Sequence, residues 1–156
     1  MTELKFDITQ LSLEDIEGID RAHLIDVISE TCFFLPVRLV VSNEDLFKRK
    51  HSVTGEINNW IDLPAFSLIF DWINRIDSLL KTGQEKIFLS DAGQMIITHK
   101  GGLVKIRTNF NNIEVEENYR DFYDAVKLSI GNLTEELKSK IPRLFQNQEI
   151  NQGVKI

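Results

Sequence analysis

Carboxylates are the chemistry-bearing residues that this chain gathers most densely. Glu114, Glu116, Glu117, Asp121 and Asp124 follow one another closely, opposed only by Arg120. Carboxylates can pair for acid–base work, but pairing depends on three-dimensional distance, which spacing along the chain does not give. Glu114 and Glu116 alternate with Ile113 and Val115, so on a strand the acids face away from the apolar side. Asp121 and Asp124 lie three apart and share one face of the helix that follows. Acids in a first helical turn also suit the helix dipole. Two readings stand side by side: a solvated face, or a partner-binding face built from these five residues.

No other group of residues makes a catalytic constellation. His23, His51 and His99 each lack a second His, Cys or acid at a metal-ligand spacing. Cys32 lies in Thr31-Cys32-Phe33-Phe34-Leu35, has no nearby His, and reads as a small buried hydrophobe. Thr82-Gly83-Gln84-Glu85-Lys86 lacks the first glycine of a phosphate loop and the hydroxyl residue after its lysine. Gly101-Gly102 joins two expected strands, which argues against a dinucleotide site. No Gly-x-Ser-x-Gly elbow occurs, and Asn132-Leu133-Thr134 is a chance sequon on a helix. The expectation is a protein without catalytic residues, cofactor or metal.

These residues must be positioned by ordinary globular elements. The chain has 156 residues, 42% hydrophobic and 27% charged, which suits one soluble domain. No apolar run approaches the roughly 20 residues of a membrane span. The first residues lack a basic region followed by an apolar stretch, so no signal peptide is expected, and a cytoplasmic setting fits a single cysteine. Residues 1–36 hold eight acids and two bases, a net of −6; residues 37–156 hold sixteen of each. An acidic protein repels nucleic acid and attracts basic partners.

Periodicity then gives the elements. Leu4–Ile8 and Phe34–Val41 alternate as strands, the second with Pro36 near its start, which places that end at an edge or bulge. Ser12-Leu13-Glu14-Asp15 resembles a capping box, and residues 20–31 suit helix or strand equally. Ser42-Asn43 is a turn, and Lys48-Arg49-Lys50-His51 is a solvated basic turn too short for nucleic acid. Val53–Trp60 suggests another strand with a bulge at Gly55. Asp62-Leu63-Pro64 reads as a helix start, and Phe66, Ile69, Ile73, Ile76 and Leu80 form its apolar stripe up to Gly83. Segments 85–90, 94–99 and 103–110, divided by Gly-containing turns, form hairpins, and Asn111-Asn112 turns the chain toward Ile113 and Val115. Asn118 caps a last helix on the stripe Tyr119, Phe122, Val126, Ile130, Leu133, Leu137 and Ile141, stopped by Pro142. Gly131 suggests close packing of this helix on the sheet.

The expected fold is α+β: an antiparallel β-meander packed against two amphipathic helices, at about 62–82 and 118–141. Residues 1–145 make a single domain and 146–156 a loose tail. The exposed edge of such a meander could pair with another chain, in a homodimer or with a partner strand.

Phe34-Leu35-Pro36-Val37-Arg38-Leu39-Val40-Val41, then Asp45-Leu46-Phe47, then Asp62-Leu63-Pro64-Ala65-Phe66 and the Gly-turned meander resemble one known group in order and spacing. These are the small α+β immunity proteins of bacterial polymorphic toxin and contact-dependent growth inhibition systems. The resemblance covers roughly residues 33–116. It implies a toxin inhibitor without catalytic residues, which binds a cognate protein toxin domain, often a nuclease, and covers its active site or an exosite. An acidic inhibitor would complement a basic toxin surface and associate quickly. Two other classes fit the same residues. One is an adaptor or structural subunit of a bacterial assembly. The other is an enzyme with a dispersed site around Asp91, His99 and the acids near 114–117.

Overall fold

The computed structural model describes residues 1–8, 34–64, 68–89 and 92–140. The expected capping box at 12–15, the ambiguous segment 20–31, His23, Cys32, Asp91, Ile141, Pro142 and the tail lie outside them. The described chain is α+β. Its strands are β1 (Thr2–Phe6), β2 (Phe34–Val41), β3 (Glu44–Asp45), β4 (Arg49–Lys50), β5 (Ile57–Asn58), β6 (Ile61–Pro64), β7 (Gln84–Phe88), β8 (Gln94–Lys100), β9 (Leu103–Thr108) and β10 (Glu114–Asn118). A wide π turn at Leu68–Trp72 runs into helix α1 (Ile73–Thr82), and helix α2 spans Tyr119–Lys140.

The meander forms as its turns require. Strands β7 to β10 pair antiparallel in chain order. Gly101 and Gly102 both take positive φ, 62° and 78°, which closes the β8–β9 hairpin in the sense that matches strand twist. Asn112 also takes positive φ, 59°, in the β9–β10 connection. Inward positions Ile87, Met95, Ile97, Val104, Ile106 and Val115 are buried.

A second sheet stands beside the meander. Its central strand β2 pairs along β1 on one side. On the other side it pairs β6 through Phe34–Val37 and β3 through Val40–Val41. Strand β2 is therefore interior, although it carries Pro36. The Asp7 amide donates to the Pro36 carbonyl at 3.0 Å, just past the last β1–β2 pair, Phe6 with Val37. The proline's missing donor thus falls where that ladder ends. Strands β4 and β5 form a separate small ladder. Gly55 is not a bulge; with φ 74° it belongs to the turn between them, its amide donating to the His51 carbonyl at 3.0 Å.

The first helix starts later than Asp62-Leu63-Pro64 suggests. Residues 61–64 are strand β6, with Ile61 and Leu63 buried opposite Val37 and Leu35. The local cap-and-proline signal loses to an apolar alternation that β2 completes. Helix α1 ends as expected: Gly83 takes φ 74° and its amide caps the Leu79 carbonyl at 3.0 Å. Ile73, Ile76 and Leu79 are buried, whereas Leu80 is 58% exposed. Helix α2 begins as its sequence reads. Asn118 Oδ1 accepts from the amides of Arg120 and Asp121 at 2.9 and 3.2 Å. Its stripe from Tyr119 to Leu137 is buried against β1, the meander and α1. Both sheets and both helices contribute to one continuous apolar cluster.

Candidate docking surfaces

The five carboxylates do not form one surface. The pleat puts Glu114 and Glu116 on the meander's outer face, away from buried Val115. There they share one cation: Lys105 Nζ lies 3.8 Å from a carboxylate oxygen of each. Glu117 points to the opposite side, where its Oε2 accepts from the Met1 ammonium at 2.8 Å. Its other oxygen accepts from the Asn118 amide at 2.9 Å. The ammonium hydrogen bond, aided by that amide, holds the Glu117 carboxyl below the usual carboxylate range against the opposing effect of burial. Asp121 and Asp124 stand exposed on α2, without an ion pair among the described residues. A cluster in the sequence thus resolves into three environments.

Of the dispersed enzyme site, Asp91 lies outside the described residues, and His99 shares the inner side of the meander with Glu117, the two flanking Val104 in register. The His99 ring lies edge-on to Tyr119 at 5.1 Å between centroids. Glu114 and Glu116 project from the other side of the same sheet. Tyr119 stacks at 5.9 Å on Tyr123, and its hydroxyl donates to the Ile76 carbonyl at 3.3 Å. Burial, then the negative charge of Asp77, raises the Tyr119 phenol above its ordinary pKa. Among the described residues, no three His, Cys, Asp or Glu side chains gather as a metal-binding set.

Helix α2 presents a ridge to solvent. Asp121, Asp124, Leu128, Asn132 and Glu135 recur at spacings of 3, 4, 4 and 3, and all are exposed. At 1.5 Å per residue the ridge runs for about 21 Å. Leu128 is 66% exposed at its middle. Gly131 borders a hollow of about 460 Å³ beside Asp124, Leu128 and Glu135. Glu135 lies 3.5 Å from Lys138, so its charge is partly offset. Sequence reasoning found Asp121 and Asp124 but missed Leu128. The signal was available, since Leu128 falls outside the stripe that buries the helix.

A larger cleft, about 620 Å³, opens between the β2–β6 sheet and the β4–β5 ladder. Asp7, Phe34, Arg49, Trp60 and Asp62 are among the residues that line it. Arg49 is not a solvated turn residue: its Nη2 donates to the Trp60 carbonyl at 2.6 Å. His51 does serve its turn, with Nδ1 accepting from the amides of Val53 and Thr54 at 3.2 and 3.1 Å.

The outward backbone of both meander edges is partly occupied. On β7, Thr82 Oγ1 donates to the Gln84 carbonyl at 3.1 Å and Arg75 Nη1 to the Lys86 carbonyl at 3.3 Å. On β10, Ser42 Oγ donates to the Glu116 carbonyl at 2.7 Å, and Glu117 takes the Asn118 amide. Strand addition by another chain would have to displace these bonds. No helix among the described residues is long and apolar enough to cross a membrane. No family model, curated protein or solved structure matches this chain.

Proposed function

We propose that this chain is a non-catalytic binding protein, an immunity protein that neutralises a cognate bacterial toxin domain in the cytoplasm by covering it. The solvent ridge of α2 is its docking surface. One observation carries the reading: Asp121 and Asp124 stand exposed and, among the described residues, without ion pairs, beside exposed Leu128 and the hollow at Gly131. Two uncommitted carboxylates next to an apolar anchor and a recess suit a basic partner. The charges steer encounter, and a desolvated anchor supplies affinity. A helix also holds its side chains more rigidly than a loop does. Glu114, Glu116 and Glu117 are secondary to this role, since each already faces a cation.

The test is capture from the native cells with the tagged protein and with D121K/D124K. A stoichiometric toxin domain, retained at low salt, weakened as salt rises and lost from the variant, is the expected result. Equal recovery by the variant would move the interface elsewhere. Recovery of a housekeeping assembly, with no toxicity when the gene is deleted, would replace the immunity reading with the adaptor one.

A further inference from the structure

The outer face of the meander opposes the charge of the molecule that carries it. Register sets its rows. Lys86 lies opposite Ile96, Ile96 opposite Arg107, and Arg107 opposite Glu114. Next to them Thr98, Lys105 and Glu116 form a second row, and Lys100 and Leu103 begin a third. Lys105 answers both outward acids of β10 by itself. Lys86, Lys100 and Arg107 therefore remain without an ion pair among the described residues. Ile96, though outward, is only 8% exposed, which fits coverage by the stems of its long basic neighbours. Phe88 and Leu103 flank the cations and are 71% and 46% exposed. A hollow of about 280 Å³ lies between Thr98, Lys100, Leu103, Lys105 and Glu116.

We propose that this face binds an acidic segment of a partner protein, at a site separate from the α2 ridge. Three uncommitted cations on a chain of net charge −6 form a local positive field inside a negative one, so an acidic segment is drawn to this face and repelled elsewhere. Phe88 and Leu103 offer apolar contact beside the charges, the pairing of anchor and charge that protein interfaces use. The segment lies across the face, because side chains already hold part of the outward backbone at both edges. A nucleic acid fits less well. Four strands span only about 15 Å, and a longer polyanion would run from the cations onto repelling surface. The only exposed aromatic on the face among the described residues, Phe88, sits on the edge strand rather than at the centre.

The test uses the isotope-labelled full chain, with amide shifts followed at low ionic strength. The probes are a short peptide alternating glutamate with leucine and an oligothymidylate of similar length. The peptide is expected to move amides of β7, β8 and β9 and to lose about an order of magnitude in affinity in K86E/R107E, which changes two exposed residues. Added salt should weaken it similarly, since the screening length shrinks to about 8 Å at physiological ionic strength. Peptide shifts confined to α2, or unchanged by K86E/R107E, would overturn the proposal. So would tighter binding of the oligothymidylate to the same amides. Shifts that follow protein concentration without any probe would replace the partner with a second copy of this chain.

Discussion

The two four-stranded sheets differ in how they are connected. In the meander, every pair joins strands that follow directly in the chain, through turns set by Gly93, Gly101-Gly102 and Asn112. In the other sheet only the β2–β3 hairpin is local, turned by Ser42 and Asn43 at φ 50° and 66°. The β1–β2 ladder pairs Phe6 with Val37, and the β2–β6 ladder pairs Phe34 with Pro64. The meander can form from neighbouring residues. The other sheet must close long loops first, at an entropic cost that only burial returns. Local pairing thus builds a platform, and the non-local sheet completes the core that the platform leaves open.

If the sheets form one unit, damage to the non-local one should be felt in both. Leu39 is fully buried at the centre of β2 and belongs to the same apolar cluster as Ile97 and Ile106. Leu39→Ala is expected to cost about 2–5 kcal/mol, the range for a leucine truncated in a packed core. Denaturation should stay a single transition, with amide protection in β8 and β9 falling in step. Retained protection in the meander after loss of β1 and β2 would make the sheets separate cooperative units and break the comparison.

The smaller polar link between them is Asn111. Its Nδ2 donates to the carbonyls of Leu46 and Lys48 at 2.7 and 3.0 Å, tying the β9–β10 connection to the segment after β3. Its Oδ1 accepts from the Ile113 amide at 3.1 Å and from the Thr108 hydroxyl. Asn111→Ala leaves a partly buried carbonyl unsatisfied and should cost about 1–3 kcal/mol. The loss should appear as faster exchange at Leu46–Lys48 as well as at Ile113. Disturbance confined to Ile113 would mean that Asn111 shapes its own turn and does not join the sheets.

The same contrast explains what could be read in the chain. The meander and α2 were legible because their signals are local. Gly101-Gly102 marks a hairpin, Asn118 a cap, and the stripe from Tyr119 to Leu137 a helix face. Strand β6 was not legible, because Asp62 and Pro64 carry a helix-start signal and only β2, far away in sequence, makes Ile61 and Leu63 a strand. The carboxylate cluster was half legible. Alternation correctly put Glu114 and Glu116 outside, and spacing put Asp121 and Asp124 on the helix. That Lys105 would sit between the first two depends on register across β9 and β10, and that Glu117 would meet Met1 depends on the neighbouring sheet. Charge counted along the chain therefore overstated the acidity of this region.

Glu117 gives the finest measure of how the sheets meet. Its carboxylate, on β10, holds the ammonium of the residue that leads into β1, so the pair spans both sheets. The folded state binds a proton at this carboxyl less readily than the unfolded chain does. Its stabilising contribution is therefore present above the ordinary carboxylate pKa, about 4.3, and is lost as pH falls through the lower folded value. Glu117→Gln removes the charge at every pH. The stability gap between wild type and this variant should be constant from neutral pH down to the ordinary carboxylate range, then narrow on further acidification. The effect should be modest, as for a pair at the protein surface. Urea midpoints measured along a pH series read it directly. A gap that does not narrow in acid would show that ionisation of Glu117, and so the ion pair, adds nothing to the joining of the sheets.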